Sequence, residues 1–212
     1  MRRIFTSAIA LFLLLGSCAS PAQAAPTLFG DFVWGTPKSE LEKRPDAKPG
    51  QDAFAGDLFL PETDFAGESW NVRLEFAGER LVRVSLMAHY SRERMDKVTR
   101  QLRADGFEML SVLRDSAMID MVRILKTLGP DAVKEEWNRF MQGESPQRMT
   151  YAWFATASLS KDIKTMVSNL KDLLMSAPME TREAEVTLLG DQATGKPGML
   201  LVDFSFPMLR QE

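Results

Sequence analysis

The chain has almost none of the residues that do chemistry through sulfur or imidazole. Of its 212 residues one is cysteine, Cys18, and one is histidine, His89. A histidine-rich zinc site, a histidine pair and a thiolate metal centre therefore lack the ligands to build them. An intrachain disulfide is excluded as well, so stability must come from packing. Long apolar runs are scarce: Ile4 to Leu15 is short of the roughly 20 residues that span a bilayer as a helix, and no later stretch competes. Positive charge is in deficit, with 26 basic against 29 acidic residues and a formal charge of −3, which argues against general nucleic-acid binding.

What the chain does have begins with an export signal. Arg2 and Arg3 precede the Ile4–Leu15 run, and small residues follow, the layout of a secretory signal peptide. Ala22-Gln23-Ala24 fits cleavage before Ala25, giving residues 1–24 as signal peptide and 25–212 as a single α+β domain, periplasmic or secreted. Leu15-Gly16-Ser17-Cys18 competes with that reading, because it resembles a bacterial lipobox whose cysteine is lipidated; a membrane anchor would then act through Cys18. Cleavage before Ala25 removes that cysteine with the signal and leaves 24 basic against 29 acidic residues, or −5. The 13 Met and 13 Phe supply core, and Met also suits adaptable binding surfaces.

The stretch Trp70–Ala88 organises the fold. Trp70, Val72, Leu74 and Phe76 alternate with polar residues, Gly78 sits in the connection, and Val82, Val84, Leu86 and Ala88 alternate back, which predicts a β-hairpin with one apolar face. Ala184–Leu188 and Leu200–Phe206 predict a second hairpin, and Phe107–Leu113 and Arg148–Ala157 predict strands. Helical spacing marks Ser91–Asp105, a stripe through Met118, Met121, Val122, Leu125 and Leu128, and a stretch after Asp131. The clearest helix opens at Ser160, with Ile163, Met166, Val167, Leu170, Leu173 and Leu174 in register up to Pro178. The expected architecture is α+β: an antiparallel sheet of two main hairpins packed against amphipathic helices, with Trp70, Val72, Leu74 and Phe76 sharing a core with the Ser160 helix.

Phe29, Phe32, Trp34, Gly35, Thr36, Glu40 and Leu41 form the pattern F-x-x-F-x-W-G-T-x-x-x-E-L, and Phe76, Leu81, Val82 and Val84 extend it into the hairpin. This resembles the opening of small exported bacterial domains of unknown function. The resemblance implies export and an α+β fold and carries over no catalytic residue.

No motif nominates a catalytic, cofactor-binding or metal residue. Gly190 to Lys196 fits G-x-x-x-x-G-K, but Pro197 stands where a phosphate loop needs Ser or Thr, and a strand follows instead of a helix, so a polar hairpin loop is expected. His89 reads as a strand-end histidine, with a general-base role unsupported by any motif. Glu135, Glu136, Glu183, Glu185 and Asp203 read as solvated carboxylates without the spacing of a hydrolytic pair. Arg92, Arg94, Lys97, Arg100 and Arg103, with Arg80 and Arg83, read as a salt-bridged solvated face, and Trp34, Trp70, Trp137 and Trp153 as core before pocket lining. The resulting expectation is a non-enzymatic envelope binding or interaction module without cofactor, partnered by another envelope protein or an apolar ligand. The alternatives are a carrier holding a lipid between sheet and long helix, and a hydrolase whose residues the sequence does not identify.

Overall fold

The computed structural model describes residues 25–142, 147–191 and 196–209, so the export signal, Cys18 and Gly195 lie outside the described residues. Thr27–Phe29 (β1) and Phe32–Val33 (β2) make a small two-stranded sheet, turned at Gly30 with φ +54°, and Lys38–Leu41 (α1) follows. Lys48–Pro49 (β3) and Leu58–Phe65 (β4) lead to Glu68–Ala77 (β5) and Arg80–His89 (β6). Arg92–Ala104 (α2), Phe107–Arg114 (β7), Ala117–Asp120 (β8), Met121–Thr127 (α3) and Pro130–Phe140 (α4) come next. Arg148–Ala155 (β9), Lys161–Met166 (α5), Leu170–Ser176 (α6), Glu183–Gly190 (β10) and Pro197–Ser205 (β11) close the fold.

Nine of these strands form one antiparallel sheet in the order β3-β4-β5-β6-β11-β10-β9-β7-β8. The two expected hairpins are present, but as four central strands of a larger sheet, so the expectation of two main hairpins packed against amphipathic helices is overturned. Edge pairing accounts for much of the difference. Leu58–Phe65 continues as one strand through Pro61 because the register shifts between Leu60 and Thr63, where Glu62 takes φ +54°. Residues 117–120, expected as helix, pair with β7 instead, and only Met121–Thr127 is helical. Both edge strands are short, and β3 carries Lys48 and Pro49, features that discourage edge-to-edge association.

The β5–β6 turn explains why this hairpin is well specified. Gly78 and Glu79 both take positive φ, +54° and +62°, the two-residue geometry that matches strand twist. Trp70, Val72 and Leu74 are buried on one side of the sheet with Val84, Leu86, Val202 and Phe204, under α2 residues Val98 and Leu102. Burying each such side chain stabilises by roughly 1.5–3 kcal/mol.

The Ser160 segment does not join that core. It is two helices, α5 and α6, each with its own cap: Ser160 Oγ accepts from Ile163 N, and Asn169 Oδ1 accepts from Asp172 N. Val167 and Leu173 pack with Leu110, Val122 and Phe154 on the opposite side of the sheet. Helical spacing across Ile163–Leu174 reads as one helix because apolar residues recur on both sides of the three-residue break at 167–169, while Asn169 is a stop and restart signal that apolar periodicity does not register. A third cluster, with Ile124, Met149 and Trp137, sits beneath α3 and α4.

Candidate functional site

Asp120 ends β8 and begins α3, and its two carboxylate oxygens are both spent on backbone. Oδ1 accepts from Arg123 N at 2.9 Å, capping α3, and Oδ2 accepts from Leu170 N at 2.9 Å, at the start of α6. One side chain thus fixes two helix starts side by side. Between them opens a groove of about 340 Å³ walled by Met118, Leu170, Leu174, Met175 and Met208. Met118 and Met175 are 58% and 77% exposed, and Leu125, Leu128 and Met166 on or beside α3 and α5 are also exposed, at 50%, 56% and 83%. A smaller cavity of about 150 Å³ lies on the other side of α6, between Val122, Leu159, Val167, Leu173 and the β7 residue Leu110.

Lys171 lines the groove. Arg123, Lys126, Lys161, Lys164 and Lys171 are exposed on α3, α5 and α6, and Lys126 Nζ donates to Lys164 O at 2.7 Å, tying α3 to α5. The groove offers thioether and methylene groups with Lys171 at its wall, and its one carboxylate, Asp120, already accepts from two amides. Asp120→Ala should remove the α3 cap and the acceptor of Leu170 N, each worth about 0.5–2 kcal/mol, while the Asn169 cap of α6 stays, and Asp120→Asn should keep one acceptor and lose less. Denaturant unfolding of the two variants measures the difference.

The other charged assembly lies on the sheet face opposite α2. Arg73 meets Asp57 at 3.4 Å and also pairs with Glu75, and Arg83 meets Glu75 at 3.7 Å. The buried Ser85 donates to Glu75 Oε1 at 3.0 Å, and the sheet register sets Asp203 between Ser85 and Glu185. Burial holds the Asp203 carboxyl above its usual range, against the opposing effects of the Ser85 hydrogen bond and Arg83. Glu183 is buried and Glu185 and Asp203 are half-buried, so the expectation that these three are solvated is wrong. Period-two alternation places them on the polar face, but their cover comes from neighbouring strands. Glu135 and Glu136 are the exception, pairing with Arg139 on the surface helix α4.

A raised folded-state pKa means that the folded protein binds more protons than the unfolded chain, so this contribution is present at acid pH and lost as pH rises through the raised value. Asp203→Asn should therefore raise the melting temperature at pH 7, with the gain shrinking toward zero as the solution is acidified below the ordinary aspartate range. Melting curves across pH 3–8 check the sign.

The remaining sequence candidates are scattered. His89 is exposed at the end of β6 beside a cavity of about 290 Å³, and among the described residues nothing is hydrogen-bonded to its ring; its carbonyl accepts from Arg94 Nη1. Arg94 and Lys97 are paired with Glu68, Arg103 lies over Trp153, and Arg80 donates to Gly35 O, so much of the basic cluster is committed to internal contacts. The ion-pair and hydrogen-bond partners hold the Glu68 carboxyl low, Lys97 first and Arg94 next. Gly190 pairs with Pro197 across the β10–β11 hairpin, so this glycine loop joins strand to strand. Trp70 and Trp153 are core under α2, Trp34 packs at its margin and Trp137 faces Tyr151 from α4; they do not gather beneath the Ser160 segment. Among the described residues no group of three or more His, Cys, Asp or Glu is arranged to hold a metal ion.

The groove itself was missed because half its wall comes from residues read as buried helix: Met118 on a strand, and Met175 just past the apolar stripe. No protein-family model, curated protein or solved structure matches the chain.

Proposed function

We propose that this protein is an exported, non-enzymatic interaction module that binds another envelope protein through the apolar groove between β8, α3 and α6. The observation that carries the reading is the groove walled by the exposed Met118 and Met175 and the half-buried Leu174, with Lys171 at its edge. Exposed contiguous apolar surface of this kind marks interaction sites, and methionine adapts to varied partners. Lys171 at the groove wall favours a partner segment with an apolar ridge beside an acidic side chain. Export rests on Arg2, Arg3, the Ile4–Leu15 run and Ala22-Gln23-Ala24, with lipidation at Cys18 as the other route to the envelope.

Volume separates this reading from a lipid carrier. The space between sheet and helices is about 150 Å³, half the lower bound of the roughly 300–1,000 Å³ typical of ligand sites, while the outer groove of about 340 Å³ is open and suits an inserted side chain or two. Native mass spectrometry of protein purified from its own envelope tests the choice. A mass free of lipid supports the interaction module, and a stoichiometric co-purified lipid overturns it in favour of the carrier.

A further inference from the structure

Arg182 stands just before β10 at the α2-side margin of the sheet and lines no part of the groove at α6. Its guanidinium lies over the Phe107 ring, Cζ 4.7 Å from the centroid. That stack occupies the planar face and leaves the N–H edge. Of the five N–H donors a guanidinium carries, one reaches Leu28 O at 3.5 Å, the outer limit of a hydrogen bond. No carboxylate among the described residues comes within ion-pair distance, although Asp105 is close enough to act on it electrostatically. A half-buried cation with an open donor edge is a costly arrangement for a purely structural residue.

Arg182 lines a cavity of about 380 Å³. Phe29 and Phe204 wall it as a stacked pair with centroids 5.0 Å apart, and Phe65 meets both edge-on. Asp64 and Asp105 also line it, with Gln101 Nε2 donating to Asp105 Oδ1 at 3.0 Å. Gly30 and Gly67 belong to its lining, both with open space where a Cβ would stand. The cavity therefore combines an anion receptor, two carboxylates and an aromatic wall.

We propose that this cavity binds a small zwitterion of the amino-acid class, its carboxylate on the Arg182 edge, its ammonium toward Asp64 and Asp105, and its apolar side chain against Phe29, Phe65 and Phe204. The site is separate from the groove and stands or falls independently of it. Binding is measured by titration calorimetry on the whole protein, with L-phenylalanine and L-leucine as probes and with acetate and ethylamine as the two half-ligands. Both amino acids should bind, each more tightly than either half-ligand. Arg182→Gln and Arg182→Lys should each weaken binding at least about ten-fold, the second keeping charge and stack while losing the fork. Asp105→Asn, an exposed position whose change leaves the core intact, should weaken phenylalanine binding and leave acetate unaffected. Absence of binding by either amino acid, undiminished affinity in a folded Arg182→Lys protein, or acetate binding as tightly as phenylalanine would each overturn the assignment, the last by reducing it to a plain anion site.

Discussion

Trp70→Ala is expected to cost roughly 3–5 kcal/mol and to lower the melting temperature by about 6–20 °C. The indole is 1% exposed, its Nε1 donates to Phe65 O at 3.0 Å, and its ring meets Phe65 edge-on while Arg94 lies over it at 5.6 Å. Truncation leaves a cavity, an unpaired carbonyl and an unstacked guanidinium at once. Trp70→Phe keeps most of the volume and loses the donor, so it should cost much less, on the order of 1–2 kcal/mol. Equal losses for the two variants would show that the hydrogen bond, and not the packing, dominates.

Leu74→Ala and Leu173→Ala should each cost about 2–5 kcal/mol, because both side chains are buried, at 0% and 4% exposure. They belong to clusters on opposite sides of the sheet, so the double variant should lose the sum of the two to within about 0.5 kcal/mol. That combined loss is comparable to the roughly 5–15 kcal/mol stability of an ordinary domain, so it is best read from denaturant midpoints at low temperature. A coupling energy well above that limit would mean that the two residues share one core, as the sequence pattern alone suggests. Leu170→Ala, at a half-buried residue of the groove wall, should cost less than either.

The contrast shows where residue patterns carry information and where they stop. Trp70–Phe76 and Leu81–Ala88 identify themselves as a hairpin because alternation, a Gly-bearing turn and β-branched residues agree. The Ser160 segment shows an apolar stripe too, yet nothing in the stripe says which side of the sheet it covers, since β9 offers Trp153 to one side and Phe154 to the other. Residues 117–120 carry Met118 and Ile119 at spacings that fit either period, and pairing with β7 decides for strand. The same limit hid the groove. Met118 and Met175 are apolar residues that composition assigns to a core, yet both are exposed, beside the start of α6 that Asp120 holds through Leu170 N. Arg182 carries no motif at all; its neighbours Phe29, Phe107 and Phe204 come from three distant parts of the chain.

The proposal that the methionine groove receives a protein partner is tested most directly by placing a photo-crosslinking residue at position 175 and irradiating the protein in its native envelope. The same residue at position 134, on the exposed side of α4, serves as the comparison. A discrete protein adduct from position 175, absent from position 134 and abolished by Leu174→Asp in protein that remains folded, is the predicted result. Adducts of equal yield from both positions, or an adduct from 175 that survives Leu174→Asp, would contradict it.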